Sequence, residues 1–313
     1  MDPIEVIDLC RRASYDGIGV PIGAFIPRPF GVGDYQALWR SSPARVRSAV
    51  DDILCAPRVG EGLDLLLRFG ALEALFPEVA ALRDLGDAGG LHKDVWEHTK
   101  AVVAGVAPEL DLRWGALVHD VGKVATRRID GRGRVTFHGH DAVGARLVDG
   151  MGSRTPVFDG RTGLLRSVRA LVLNHLRPAS YAASWSDSGV RRLVHDLGGP
   201  AGFERLMALS RADLTTKNPR RRREAGRRAD ELEARVRTVL ATDNRPRLPK
   251  GTMGIVASKV AARPGPWLNE VRTRLEAMMA AGLLAADLTA DDYAVHGLSL
   301  VEDLLDAAEP VQG

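Results

Sequence analysis

An all-α fold is what this 313-residue sequence predicts, on three observations. Apolar residues recur at offsets of three and four over long stretches, as on one face of a helix, whereas strictly alternating runs are nearly absent. Proline stands where helices begin, in Ser42-Pro43, Asn218-Pro219 and Pro264-Gly265-Pro266. Hydrophobic residues make up 45% of the chain, enough for one large core or two moderate ones, and the charged fraction of 27% is that of an ordinary globular protein.

The elements follow in order. Gly17, Gly19, Pro21, Gly23, Pro27, Pro29, Gly31 and Gly33 break any periodic pattern, so residues 1–43 read as a Gly/Pro-rich N-terminal arm. Residues 44–90 read as a helical region: one helix opens at Ser42-Pro43, another carries Leu63 to Leu67 and stops at Gly70, and Pro77 closes Leu72 to Phe76. Five helices are expected between Asp94 and Thr216, at about 94–107, 112–121, 140–150, 163–176 and 201–216, within a core spanning 91–217. Residues 218–313 form a last region. Asn218 as N-cap and Pro219 at the first helical position begin a helix with the stripe Ala229, Leu232, Val236 and Leu240, and a further module holds the amphipathic stretch Trp267 to Leu284.

Composition narrows the functional classes. The N-terminus carries Asp2, Glu5 and Asp8 rather than a basic cap, and no apolar run reaches the roughly 18 residues of a membrane span, so a cytoplasmic protein without membrane attachment is expected. Cys10 and Cys55 have neither zinc-finger nor redox spacing and read as free thiols. The net charge of +3 hides an asymmetry: Lys217 to Lys250 holds twelve Lys/Arg against five Asp/Glu, which leaves the remainder acidic. Arg220, Arg221, Arg222 and Arg223 lie in the first turn of a helix, where cations oppose the helix dipole unless an anion binds. This patch is either a solvated face or a site for phosphate and RNA.

The chemistry concentrates in the middle of the chain. His119-Asp120 closes the apolar run that begins at Leu112, and a buried carboxylate beside an imidazole needs a partner. On its own the dipeptide serves an internal ion pair as readily as a metal. However, six of the eight histidines fall between His92 and His175, and His98, His140 and His175 each join an apolar helical stripe. With Asp213 they make a set of six nitrogen and oxygen donors without thiolate, which suits Mn, Ni, Co, Fe or Zn better than Ca. Six donors exceed what one catalytic ion needs, so two divalent transition-metal ions are expected, with Asp120 shared.

These residues resemble the HD-domain metal-dependent phosphohydrolases. The similarity is closest to the C-terminal half of bacterial CCA-adding tRNA nucleotidyltransferases, through Val95-Trp96-Glu97-His98-Thr99, Val118-His119-Asp120-Val121-Gly122-Lys123, Phe137-His138-Gly139-His140-Asp141, Asn174-His175-Leu176-Arg177-Pro178 and Arg211-Ala212-Asp213, in that order. Leu67-Arg68-Phe69-Gly70-Ala71-Leu72 through Phe76-Pro77-Glu78 resembles the neck of those enzymes, and Arg263-Pro264-Gly265-Pro266-Trp267 their body and tail. The resemblance implies an HD helical bundle flanked by further helical modules. It implies one metal on His98, His119, Asp120 and Asp213, a second on His140 and His175 with Asp120 bridging, and a metal-bound hydroxide as nucleophile. Lys123 would neutralise charge on phosphoryl oxygens with Arg177 assisting, while His138 stays unassigned among ligand, proton donor and cap. Upstream of residue 91 there is neither the Gly-rich strand turn nor the paired Asp-x-Asp of a nucleotidyltransferase, so nucleotide addition is not expected. The expected activity is hydrolysis of phosphomonoesters or 2',3'-cyclic phosphates of nucleotides or RNA ends. An RNA-binding scaffold without catalysis and a di-iron oxygenase are the alternatives. Gly122-Lys123 lacks the spacing of a phosphate loop, and Gly31-Val32-Gly33 lacks that of a dinucleotide fingerprint.

Overall fold

In the computed structural model, residues 2–17, 30–85, 94–131, 135–214, 218–243, 247–260, 263–285 and 287–306 are described. The chain folds as two compact units, Met1–Val236 and Arg237–Gly313.

The first unit opens with a helix where the sequence predicts an arm. Helix α1 (Pro3–Asp16) is nucleated by a reciprocal cap: Asp2 Oδ1 accepts from the amides of Ile4 and Glu5, both at 2.9 Å, and Glu5 Oε2 accepts from the Asp2 amide at 2.7 Å. It buries Ile4, Ile7, Cys10 and Ala13. The Gly/Pro spacing downstream masked this short stripe. Of that Gly/Pro run, residues 18–29 lie outside the described residues. Helix α2 (Val32–Ser41) corrects the arm a second time, its first turn closed by Asp34 Oδ2 accepting from the Gly31 amide at 2.8 Å.

Then come α3 (Pro43–Cys55), α4 (Val59–Arg68), α5 (Ala71–Leu75), α6 (Pro77–Ala80) and a 3-10 turn (Ala81–Leu85). As expected, α4 stops before Gly70, whose φ of 81° only glycine adopts readily, and Pro77 both ends α5 and starts α6. The helices of the central region are α7 (Val95–Gly105), α8 (Leu110–Val118), α9 (Lys123–Thr126), α10 (His140–Arg154), α11 (Thr162–Asn174), α12 (Asp187–Asp196) and α13 (Pro200–Asp213). The five expected helices are present. Helix α12 was not foreseen, nor was the small antiparallel pair β1 (Arg128–Ile129) and β2 (Val135–Thr136), with Arg128 opposite Thr136.

A column of aromatic rings forms the middle of this unit. Trp39, Phe76, Trp114 and Phe158 follow one another with centroids 6.1, 5.2 and 5.5 Å apart, and all four are buried. Trp114 also donates its indole N–H to Asp51 Oδ1 at 3.2 Å. Helix α8 is therefore wedged among its neighbours, and His119-Asp120 at its end has a fixed base.

Helix α14 (Pro219–Asp243) starts as the sequence requires, with Asn218 Oδ1 accepting from the amides of Arg220 and Arg221 at 3.0 and 3.2 Å. The expected boundary between residues 217 and 218 is not where the two units part. Ala229, Leu232 and Val236 are buried, Arg211 of α13 pairs with Asp230 at 3.1 Å and with Glu233 at 2.5 Å, and Arg235 pairs with Asp187 of α12. Most of α14 thus belongs to the unit that carries the six donors.

The second unit contains α15 (Thr252–Lys259), α16 (Pro266–Ala280) and α17 (Ala290–Asp306). Val256, Val271, Leu275, Met279, Tyr293 and Val301 form its own core. Among the described residues no helix is long and apolar enough to cross a membrane.

Candidate metal centre

The six donors come from the ends of five helices, and each end has a local reason for its position. His98 lies one turn into α7, which Asp94 caps by accepting from the Trp96 and Glu97 amides. His119 and Asp120 lie in the turn after α8, His140 is the first residue of α10, His175 follows the last residue of α11, and Asp213 ends α13. His119, Asp120 and His175 are at most 2% exposed.

Three of the imidazoles are oriented by the same device. His119 Nδ1 donates to the carbonyl of Ala116 at 2.8 Å, His140 Nδ1 to that of Phe137 at 2.8 Å, and His175 Nδ1 to that of Val172 at 2.7 Å. Each bond runs three residues back. After α8 and α11 it satisfies a carbonyl that the helix end leaves without an amide partner. Because the Nδ1 proton is committed, each neutral ring carries its lone pair on Nε2.

These Nε2 atoms converge with the carboxylates in two groups, His98, His119 and Asp213 on one side and Asp120, His140 and His175 on the other. In the first, His98 Nε2 lies 3.0 Å from Asp213 Oδ1 and 3.3 Å from His119 Nε2. In the second, His140 Nε2 lies 3.3 Å from Asp120 Oδ1 and 3.1 Å from His175 Nε2. Asp120 spans the two: its Oδ2 is 3.2 Å from His119 Nε2 and 3.5 Å from His98 Nε2, while its Oδ1 faces His140.

The donors fit a divalent transition ion. His140 and His175 bring their Nε2 atoms to 3.1 Å with both Nδ1 protons committed elsewhere, an arrangement that a metal ion or a shared proton between them makes favourable. Donors held 2.0–2.1 Å from one ion at tetrahedral or octahedral angles lie roughly 2.8–3.4 Å from each other, and the closest pairs of the two groups, at 3.0–3.3 Å, fall in that range. No cysteine joins either group among the described residues, and the mixed N/O set matches Fe, Mn, Co, Ni or Zn.

Electrostatics express the same demand for positive charge. Burial opposes a charged imidazole at His119, yet Asp120 and Asp213 outweigh it and hold the ring protonated up to about 10. Burial likewise opposes ionisation of Asp120 and Asp213, but the surrounding imidazoles keep both carboxyls well below the usual range. His175 goes the other way, pushed down to about 4 by burial and by the charge on His119.

The remaining sequence candidates fall in different places. Lys123 Nζ lies 2.5 Å from Asp120 Oδ2 and 5.6 Å from the centre of the Phe137 ring, directly at the donor set. Arg177 is exposed, with its guanidinium 5.5 Å over the Trp185 ring, and among the described residues it makes no contact with the six donors. His138 is exposed and belongs to neither group. Arg220 to Arg223 are exposed on the first turn of α14. Two contributors were missed from sequence. Phe137 supplies both the carbonyl that orients His140 and the ring beneath Lys123. Gly122 lets the turn after α8 meet α10, since a Cβ there would lie 2.0 Å from the His140 carbonyl oxygen.

Residues 95–239 match the family model described as "HD domain", and its span contains all six donors. The chain carries an HD domain. Residues 36–82, which lead into it, match the model described as "Probable RNA and SrmB- binding site of polymerase A". The chain is 31% identical over 248 residues to the "A-adding tRNA nucleotidyltransferase" of Deinococcus radiodurans, covering 76% of this chain and 54% of that protein. It is 43% identical over 120 residues to the "CC-adding tRNA nucleotidyltransferase" of Thermus thermophilus, 36% of this chain and 28% of the relative. It is 28% identical over 271 residues to the "Multifunctional CCA protein" of Pseudomonas paraeruginosa, 81% of this chain and 62% of the relative. The matched HD domain thus lies in a chain that spans between about a quarter and two thirds of these relatives.

Proposed function

We propose that this chain is a metal-dependent phosphohydrolase acting on phosphomonoesters or 2',3'-cyclic phosphates of nucleotides or RNA ends. The observation that carries the reading is the convergence of imidazole Nε2 and carboxylate donors in two groups joined by Asp120. Divalent transition ions bound there would supply Lewis-acid charge for a phosphoryl group and acidify a water molecule for attack.

The chain's own residues set the conditions for that chemistry. The three Nδ1 bonds to backbone carbonyls hold the rings in one tautomer and one direction, so little reorganisation accompanies loading. Asp120 offers one oxygen to each group and fixes their spacing. Lys123, partly exposed beside Asp120, places an ammonium where charge grows on the phosphoryl oxygens. The names of the relatives and of the second matched region favour RNA or its nucleotides as the substrate class.

The test is hydrolysis of p-nitrophenyl phosphate, bis-p-nitrophenyl phosphate and 2',3'-cyclic AMP by metal-stripped protein after adding Mn, Ni, Co, Fe, Mg or Zn. Turnover that needs a metal and is lost in Asp120→Ala is expected. Absence of turnover with every metal overturns the reading.

A further inference from the structure

Helix α14 carries its charge unevenly. Arg227 pairs with Glu231, Arg228 with Glu224 and Arg235 with Asp187 of α12, while Arg211 of α13 reaches Asp230 and Glu233. Arg220, Arg221, Arg222 and Arg223 differ. All four are exposed, their turn holds no acid, and among the described residues no ion pair joins them. The first buried residue of the helix is Ala229, and every position from Pro219 to Glu224 is exposed. Successive helix positions are about 100° apart, so four in a row project around most of the circumference within a rise of about 4.5 Å.

This collar is unfavourable in the free chain. Adjacent cations repel one another and oppose the positive end of the helix dipole, a combination that a bound anion reverses. The amides of the turn do not receive that anion. Pro219 has no N–H, Asn218 Oδ1 accepts from the Arg220 and Arg221 amides, and the Asn218 carbonyl accepts from the Arg222 amide at 3.0 Å. Recognition is left to the guanidinium forks, which match phosphate oxygens two at a time. A single phosphate answers one or two forks, whereas a polymer with a phosphate on every unit answers a collar.

The collar lies close to the donors along the chain. Pro219 is six residues after Asp213, a reach of at most about 22 Å, and α14 is bonded to α13 through Arg211. A backbone gripped there can bring its end to the centre.

We infer that the turn Arg220 to Arg223 is a docking surface for the phosphate backbone of RNA, from which an RNA end is presented to the metal centre. The inference rests on the reading of RNA as the substrate class of that centre. No residue from Pro219 to Glu224 is aromatic, so the surface reads charge and not bases.

The experiment is equilibrium binding of two fluorescein-labelled 12-nucleotide single-stranded RNAs of unrelated sequence to the full chain in EDTA, over a range of salt. The two are expected to bind within about threefold of each other. Arg220→Gln, Arg221→Gln, Arg222→Gln and Arg223→Gln combined lower the slope of log affinity against log salt by at least about 1.4, two phosphate contacts at about 0.7 each. The same four positions changed to lysine keep the charge and hold the slope within about 0.7 of the wild type. The glutamine variant melts no lower than the wild type, because cations leave the positive end of a helix. A slope unchanged in the glutamine variant, an equal loss in the lysine variant, a preference above about tenfold for one sequence, or a lowered Tm overturns the surface. Sedimentation with phosphatidylserine vesicles that needs the same arginines, beside an unchanged RNA slope, assigns the collar to a membrane and overturns it as well. Metal-loaded wild-type turnover of bis-p-nitrophenyl phosphate reads the centre separately. Arginine-dependent RNA binding without turnover keeps the surface and removes the hydrolase reading, and turnover without such binding does the reverse.

Discussion

Replacing Gly122 by alanine sets two opposing effects against each other. Gly122 has φ −67°, a helical value that alanine prefers, so the backbone term alone favours the substitution by about 0.4–1 kcal/mol through the unfolded chain. The space is the obstacle. The new Cβ would sit 2.0 Å from the His140 carbonyl oxygen and 2.7 Å from the Gly144 amide nitrogen, and ordinary contact begins near 3.4 Å. These are backbone atoms that no rotamer change can remove, so the start of α10 must retreat by about 1.4 Å. Overpacking of this kind costs about 1–3 kcal/mol, which wins over the backbone gain. The net cost is up to about 2.6 kcal/mol, and at about 2–4 °C per kcal/mol for a unit of this size Tm falls by up to roughly 10 °C. The larger effect is local, because His140 rides on the displaced residue while Asp120 and His175 stay. Calorimetry together with metal counting by mass spectrometry is the assay, and Gly122→Ala is expected to lose the metal of the Asp120, His140 and His175 group first. Unchanged Tm with an unchanged metal count would refute the reasoning.

Three further outcomes follow from the same geometry. Metal uptake by EDTA-treated chain at pH 8 should release at least about one proton, since Asp120 and Asp213 hold His119 protonated up to about 10 whereas His175, pushed down to about 4, has none to give; titration calorimetry in two buffers of different ionisation enthalpy counts it, and a buffer-independent heat contradicts it. Burial pushes the Cys10 thiol up to about 12 against an ordinary value of 9.0, so the stability linked to its neutral form is whole below pH 9 and is lost as pH rises toward 12, at about 1.4 kcal/mol per unit. Denaturant melts between pH 8.5 and 10.5 should be flatter in Cys10→Ala than in the parent, and parallel slopes would dismiss the explanation. Asp51→Ala strands the Trp114 indole N–H and the Arg161 guanidinium, which Asp51 accepts at 3.2 and 2.5 Å, and with Arg161 30% exposed the cost is about 1–3 kcal/mol; an unshifted calorimetric Tm counts against it.

The fold was legible where periodicity and punctuation agreed. Pro77, Asn218-Pro219 and Pro266 each mark the start of a helix in the structure, and Gly70 stands where one ends. It was illegible where punctuation misled: the Gly/Pro spacing after residue 14 hid α1, although Asp2 and Glu5 spell out its cap. The boundary after residue 217 failed because a change in charge is not a change in packing, and Ala229, Leu232 and Val236 continue the interior of the preceding residues. His98, His140 and His175 could be picked from residue type and stripe position, and the structure gathers them with His119, Asp120 and Asp213 in two groups. How they point could not be read there, since the orientation of His140 and His175 arises from carbonyls of Phe137 and Val172 whose side chains carry no such signal. Arg177, which the resemblance implied as an assistant to Lys123, has its guanidinium over the nearby Trp185 ring.

The aromatic column has a consequence for how such a chain can vary. Trp39 and Phe76 belong to the matched region 36–82, while Trp114 and Phe158 belong to the HD domain, and they are successive rings of one stack. Trp96 of α7 donates to Asp64 of α4 at 2.8 Å across the same seam, and Asp51 joins Trp114 to Arg161. Two stretches that sequence families treat as separate modules therefore share a single interior. Neither can be exchanged, duplicated or lost without exposing part of a common core, so a descendant that keeps the donor-bearing helices must keep the preceding region as well.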